Sequence, residues 1–502
     1  MNSFMNNLKD TTNYTYTENG ALTHKTTKSD VYDMFAVGGA YRNRTDEDCI
    51  LLFKNALEEN EELALKCLFY LRDIRGGQGE RRFFRVCYKW LCNNHPDAAQ
   101  RNLDYIAEYG RWDDLIYIAA DTQLQSYAFD LIGKQLRLDL DCVTPSLLAK
   151  WMPSENTSST DTKEVANKIR KHLKISHKAY RKMLSTLRKR INVLERLMSA
   201  NKWEEIEFDK IPSKAGMKYK NAFARRDLIA EKYKEFAQSD AKVNAKTLYP
   251  YDIAHEAFKI VNEKKINYWD YLKGYDEENN WTERLMLQKY WDNLPNYYGD
   301  KNENGLAIVD VSGSMTGRPM EAAVSLGAYI AEKAHGPFAN HFITFSEHPE
   351  LVKFEGVDIV DKFNRAQSAD WGYNTNISAV FAMLLRIAQD EGVKAEDIPQ
   401  RLYIFSDMEF DAGFGRRGVA ESGINTLLEN IALQWNAAGY ELPTVIFWNL
   451  DARQNNIPML KGRFAYISGL SPVMIEQVLS GKDGYDLMLE KLVGTGRYKD
   501  IK

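Results

Sequence analysis

From about residue 300 the chain alternates between two textures, and that alternation limits its fold more than any other feature. LAIVDVS, HFITFS, RLYIFSDM and TVIFWNL are short runs rich in β-branched and aromatic residues. Such runs suit strands buried on both faces, as in a parallel sheet. Between them stand MEAAVSLGAYIAEKA, NISAVFAMLLRIAQ and GINTLLENIALQWNAAG, whose apolar residues recur three and four apart. Strand–helix–strand order with right-handed crossovers predicts a doubly wound α/β sheet. Ligands of such sheets bind beyond the carboxyl ends of the strands.

The chain before residue 275 reads differently. DEDCILLFKNALEENEELALKCLFYLRDI and RRFFRVCYKWLCNN carry helical spacing, and RGGQGE, NNHP and EYGRWDD mark turns. Stacked helical pairs of the α-solenoid type fit this pattern, although no clean repeat period emerges. WMPSENTSSTDTK (151–163) reads as an exposed loop. The expected fold class is therefore α + α/β. A helical-repeat domain is expected over 1–298, and a doubly wound domain with a C-terminal helical extension over 299–502.

At 502 residues, with 44% hydrophobic and 27% charged side chains, the composition is that of an ordinary soluble protein with room for two or three domains. The N-terminal stretch has neither a basic nor an apolar signal region, and ISAVFAMLLRIA (377–388) is too short to span a bilayer. Cys49, Cys67, Cys87, Cys92 and Cys142 form no CxxC pair, which argues for reduced thiols and against zinc. A cytoplasmic location is expected, in a host cytoplasm if a phage or virus encodes the chain, with no membrane partner.

Charge is uneven. Lys163 to Lys234 holds 21 Lys plus Arg against 8 Asp plus Glu, within a chain of net charge −4. A basic block inside an acidic protein points to a specific anionic partner. Ser176 is placed to N-cap a helix running from 177 to about 199. On that helix Tyr180, Leu184, Leu187, Ile191, Leu194 and Met198 share one face, and Lys178, Lys182, Lys189 and Arg196 the other. A solvated face usually mixes signs, but Glu195 is the only acid between Lys168 and Lys202. Candidate nucleic-acid ligands are Lys171, Lys174, Lys178, Arg181, Lys182, Arg188, Lys189, Arg190 and Arg196. LRDIRGGQGERR lacks the GKS/T of a phosphate loop and follows a helix, so a tight joint using Gly76, Gly77 and Gly79 is expected. Arg75, Arg81 and Arg82 are secondary basic candidates there.

LAIVDVSGSM (306–315) ends a strand-like run in Asp310, Ser312 and Ser314. Alternate residues of an extended loop can aim their oxygens at one centre. A hard divalent cation wants about six oxygens, so further ligands are required. Thr375, in WGYNTNIS, and Asp407, at the end of RLYIFSDM, supply them from other strand ends. A nucleophilic serine is disfavoured: GxSxG is absent, and His335, His341 and His348 are not placed as a base. A polar turn accounts for DVSGSM alone, but not for the added Thr and Asp.

D-x-S-x-S followed by a loop Thr and a strand-end Asp resembles the metal-ion-dependent adhesion site (MIDAS) of von Willebrand factor A domains. The resemblance implies that Asp310, Ser312, Ser314, Thr375 and Asp407 bind Mg²⁺, or another divalent cation such as Mn²⁺. It also implies binding rather than catalysis, with a partner's acidic group completing the shell. One departure is local, since Tyr373-Asn374 precede Thr375 where the family often has Gly-Gly-Thr. A helical half followed by such a domain resembles the Ro ribonucleoprotein family, whose TROVE module of HEAT-like repeats forms a ring that binds small structured RNAs and RNA ends. TENGALTHKTT, LRDIRGGQGERRFF, LLAKWMPS, YRKMLSTLRKRINVLE and LVGTGRYKDI resemble the Ro-like DUF2828 family of phage, viral and cellular proteins.

Together these readings predict a non-enzymatic, Ro-like RNA-binding protein with a metal-ion-dependent adhesion site. The alternatives are a metal-dependent protein–protein adaptor, gripping an acidic residue of its partner, and a virion or structural component.

Overall fold

A computed structural model of the chain describes residues 12–191, 194–263, 281–299, 304–345, 349–367, 376–412, 425–460, 462–482 and 484–502. The chain divides into two compact units. One holds Met1–Leu63 and Ala245–Gly496, the other Ala64–Asn244 and Arg497–Lys502.

The first unit is built on a six-stranded sheet. Its strands are β3 (Gly305–Asp310), β4 (His341–Phe345), β5 (Glu350–Lys353), β6 (Arg401–Ser406), β7 (Thr444–Asn449) and β8 (Phe464–Ser468), in the order β5-β4-β3-β6-β7-β8. All neighbours are parallel except β4 and β5. Every residue of β3 is buried, as its unbroken apolar run requires. The Arg318–Lys333 helix closes onto β3 at Gly327, where a Cβ would lie 2.4 Å from Val309 Cγ2. The Ile377–Asp390 and Leu427–Ala437 helices fill the other two predicted helical stretches. The expected α/β sheet is thus present, as a mixed sheet with mostly parallel strands.

Two strands lie outside the four runs read from the sequence. β5 exposes three of its four residues, so it lacks the apolar run of a buried strand. β8 is five residues long and ends at Gly469, which takes φ +95°.

The first sixty residues belong to this unit too, in contrast to the expected division at residue 298. The strands β1 (Tyr14–Tyr16) and β2 (Leu22–His24) form an antiparallel hairpin. His24 and Ile457 exchange backbone hydrogen bonds of 3.0 Å, and Thr17 Oγ1 donates to the Phe410 carbonyl at 2.6 Å. The Asp30–Val37 helix packs on β8, where Tyr466 N donates to Tyr32 Oη at 3.1 Å. At the other end of the helical half, Phe258 of the Pro250–Glu263 helix meets Phe363 of the Ile359–Gln367 helix at 5.4 Å between ring centres. Apolar periodicity marks a helix as amphipathic but does not say which core receives its apolar face.

In the second unit, helices Arg81–Asn94, Gln125–Asp141, Thr160–His172, His177–Arg190, Leu194–Ser199, Ser213–Ala224 and Asp227–Gln238 follow one another. Its buried charge is paired. Asp114, fully inaccessible, accepts from Arg72 Nη2 at 2.7 Å, Arg85 Nε at 2.7 Å and the Arg111 backbone N–H at 3.0 Å. RGGQG forms the expected tight joint between helices. A Cβ at Gly77 would lie 1.9 Å from the Tyr70 carbonyl oxygen, and Gly79 takes φ +66°. Buried Asp73 holds the joint, accepting from the backbone N–H groups of Arg75 (2.9 Å) and Gly76 (3.1 Å) and from the C-terminal Arg497 and Tyr498 side chains.

The five cysteines are thiols, four of them buried. Among the described residues no helix is long and apolar enough to cross a membrane.

Candidate metal centre and basic surface

β3 has β4 on one side and β6 on the other, so the chain reverses its direction of strand addition between β3 and β6. A sheet opens a crevice beyond its carboxyl ends at such a point. Asp310 ends β3, and Asp407 follows the last residue of β6. Both carboxylates are completely buried.

Each is held by its neighbours. Asp310 Oδ1 accepts from Ser312 N at 3.0 Å, and Oδ2 accepts from Ser406 Oγ at 2.5 Å. The Ser312 and Ser314 hydroxyls lie 3.0 Å apart. Asp407 Oδ1 accepts from Glu409 N at 3.1 Å. Between them Met408 takes φ +66°, a conformation that L-residues other than Asn and Asp seldom adopt. That turn places the carboxylate of Asp407 inward. Burial, and then the charge of Asp407, push the Asp310 carboxyl well above the usual carboxylate range. Burial also raises Asp407.

A divalent cation fits this donor set. Asp407 Oδ2 is buried without a hydrogen bond of good geometry; the Ser314 hydroxyl is near its carboxylate and Arg453 Nη2 stands off at 3.5 Å. Two buried carboxylates whose charges repel, one with an orphaned oxygen, and two adjacent hydroxyls form an all-oxygen site suited to Mg²⁺ or Mn²⁺. The site has only two carboxylates. Among the described residues no three His, Cys, Asp or Glu side chains form a ligand cluster. Thr375, the fifth expected ligand, and His348 lie outside the described residues. Of the other histidines considered as a base, His335 and His341 bond the carbonyls of Lys333 and Ala339.

Three residues that sequence reasoning passed over shape this crevice. Ser406 stands beside Asp310 because β3 and β6 pair Val309 with Phe405, a register that no local motif reveals. Arg453 donates to the Ser314 carbonyl at 2.7 Å and to Glu18 at 2.9 Å. Buried Glu409 accepts from Asn456 and from the Glu18 N–H, both at 2.7 Å, and burial followed by the Asp407 charge lifts it to about 7.

In the helical unit, Ser176 caps the His177–Arg190 helix, accepting from Ala179 N at 3.1 Å. Tyr180, Leu184 and Leu187 are buried as expected. The helix does not continue to 199. Ile191 is its C-cap, a second helix begins at Leu194, and there Leu197 is buried while Met198 is only half-buried. Lys171, Lys174, Lys178, Arg181, Lys182 and Lys189 are exposed. Two of the arginines are held by backbone acceptors, Arg188 half-buried and Arg190 exposed. Arg188 donates to the Ala149 and Met152 carbonyls, each at 2.8 Å, and to Ser154 Oγ at 3.0 Å. Arg190 donates to the carbonyls of Asp139 and Leu140, at the end of a preceding helix. Arg196 is half-buried. Of the secondary residues, Arg75 donates to the Glu108 carbonyl, while Arg81 is exposed and Arg82 half-buried on the first turn of the Arg81–Asn94 helix.

The fold and site define a protein with an α/β unit, carrying paired carboxylates at its strand ends, and a basic helical unit. A family model described as a domain of unknown function (DUF2828) matches residues 17–129 and 141–294, and a second domain of unknown function (DUF7788) matches 304–495. The chain belongs to the DUF2828 family. An uncharacterized protein, L728, of Acanthamoeba polyphaga mimivirus is 31% identical over 505 residues, spanning 94% of this chain and 85% of the relative. The crystal structure of the Deinococcus radiodurans RO (RSR) protein aligns with 93% of this chain and all of its own, at 13% identity and a TM-score of 0.43.

Proposed function

We propose that this protein is a non-enzymatic, Ro-like RNA-binding protein: its helical unit binds the RNA backbone and its α/β unit carries a MIDAS-type divalent-cation site. One observation carries the RNA reading. Among the described residues, the side chains of Lys171, Lys174, Lys178, Lys182 and Lys189 make no hydrogen bond or ion pair, and all five are exposed on two consecutive helices and the link between them. Unpaired like charges repel, and a polyanion removes that repulsion while releasing its counterions. Recognition on such a surface acts through phosphates and shape rather than base edges.

At the strand ends, Asp310, Ser312, Ser314 and Asp407, with Thr375, would hold Mg²⁺ or Mn²⁺. The cation would offset the charge of both buried carboxylates and leave a position for an acidic or phosphate ligand. The residues themselves exclude bulk water and fix the oxygens. Among the described residues neither hydroxyl meets an imidazole, which supports a site that binds rather than reacts.

Electrophoretic binding to a small structured RNA tests the proposal. Retardation is expected for the native chain, and its loss on charge reversal of Lys178, Lys182, Lys189 and Arg196. Binding that survives the reversal contradicts it. A metal-dependent protein adaptor is the second reading, favoured by the orphaned oxygen of Asp407. Recovery of a protein partner that needs Mg²⁺ and is lost in Asp310→Ala, with no nucleic acid, would select it.

A further inference from the structure

The helical unit contains a cavity of about 600 Å³, bounded by the His177–Arg190 and Leu194–Ser199 helices and the 154–156 segment. Its volume lies in the range of small-molecule sites. Tyr180 and Leu184 lie at its base but are covered, at 0% and 3% exposure. Around it stand the side chains of Arg181, Arg188, Lys189 and Arg196.

Among the described residues no carboxylate pairs with Arg181, Arg188 or Lys189. Glu155 and Glu195 are its two carboxylates, but Glu155 is already paired to Arg170 at 3.0 Å and His177 at 2.8 Å, neither of which lines the cavity. Glu195 accepts from Tyr219 Oη at 3.3 Å. Arg188 is the informative residue. It is half-buried, and its three acceptors are two carbonyls and a hydroxyl, so none neutralises its charge. Burial accordingly pulls its affinity for its proton down. A guanidinium has five N–H donors. Three are used, which fixes the plane of the group and leaves two for a ligand. A cation withdrawn from water with only neutral partners is costly unless an anion joins it. Fixed guanidinium donors match the oxygens of a phosphate group.

We propose that this cavity binds a nucleoside monophosphate group, as a free nucleotide or as the 5′-phosphorylated end of a single strand. Arg188 orients the phosphate, and Arg181 and Lys189 contribute charge from exposed positions. The proposal deepens the RNA reading above, because it shares these cations with it, and it adds a discrete pocket to an extended surface.

Calorimetric titration of the full chain with AMP, adenosine and inorganic phosphate tests it. One AMP is expected per chain, with adenosine at least tenfold weaker. The double substitution Arg181→Ala with Lys189→Ala, at two exposed positions that leave the core intact, is expected to weaken AMP at least tenfold. Absent AMP binding, equal affinity for adenosine, or an unchanged double variant would overturn the proposal. If a structured RNA with a 5′-hydroxyl binds while AMP does not, the pocket is excluded and the RNA reading stands. If AMP binds and that RNA does not, the pocket stands and the extended surface falls. Competition between 5′-phosphate and 5′-hydroxyl oligonucleotides for bound AMP then separates the sources: preference for the phosphorylated strand selects a chain end, and no preference selects a free nucleotide.

Discussion

The Ser406 hydroxyl donates to Asp310 Oδ2 at 2.5 Å, a bond between the ends of neighbouring parallel strands β6 and β3. Both residues are fully buried, so the bond is the only route by which Ser406 offsets the charge of that carboxylate. Ser406→Ala is therefore expected to destabilise the chain by about 1–3 kcal/mol, the usual cost of leaving a buried polar group unsatisfied. A urea titration should show a lower midpoint with an unchanged slope.

A cation at Asp310 and Asp407 should stabilise the fold by mass action. At a hundredfold excess over its dissociation constant the gain is about 2.7 kcal/mol. Mg²⁺ or Mn²⁺ is expected to raise the melting temperature of the native chain, and chelation to reverse the rise. Asp310→Asn and Asp407→Asn should abolish the response without abolishing folding, since a neutral amide relieves the carboxylate repulsion. An equal rise in both variants would place the cation elsewhere.

The hairpin and the Leu427–Ala437 helix share an acid-sensitive contact. His24 Nε2 lies 3.3 Å from Glu429 Oε1, and both side chains are buried. Burial alone would raise Glu429, but hydrogen bonds from His24 and from the Leu460 and Thr426 N–H groups bring it down to about 2. Its folded value is thus depressed below its ordinary 4.5, so its contribution is fully present above about 4.5 and disappears as pH falls towards 2. Glu429→Gln should flatten this part of the acid-denaturation curve and cost about 1–3 kcal/mol at neutral pH.

In the helical unit, Asp73 links the Gly-rich joint to the C-terminal residues Arg497 and Tyr498. Arg497→Ala leaves a buried carboxylate with hydrogen bonds but without its cation. The expected loss is about 2 kcal/mol, reduced from that of a fully buried pair because Arg497 is partly exposed. Gly77→Ala should be more damaging, because its Cβ would meet a backbone carbonyl that cannot move aside. Hydrogen exchange of the 61–94 helices reads both effects; protection equal to the native chain in Gly77→Ala would contradict the joint.

How much of this was legible beforehand depends on the range of the interaction. β3, β4, β6 and β7 were readable because each is a continuous apolar run. The β1–β2 hairpin, β5 and β8 were not, since strands of three to five residues carry little periodicity and take their conformation from partners distant in sequence. Asp310, Ser312 and Ser314 are neighbours in the chain, and Asp407 stands at a recognisable strand end. Ser406 and Arg453 needed strand register and loop path. Arg188 and Arg190 looked like their neighbours, but carbonyls 36 to 51 residues away capture them. A composition count registers their charge and not its destination.

The most direct test of the central claim is the salt dependence of RNA binding by the intact chain. Affinity for single-stranded RNA falls with log salt by about 0.7 per phosphate neutralised. With Lys171, Lys174, Lys178, Lys182 and Lys189 engaged, the logarithmic slope should be roughly −3.5, and charge reversal of Lys178, Lys182, Lys189 and Arg196 should abolish binding. Binding that does not change with salt, or that survives the reversal, would contradict the account.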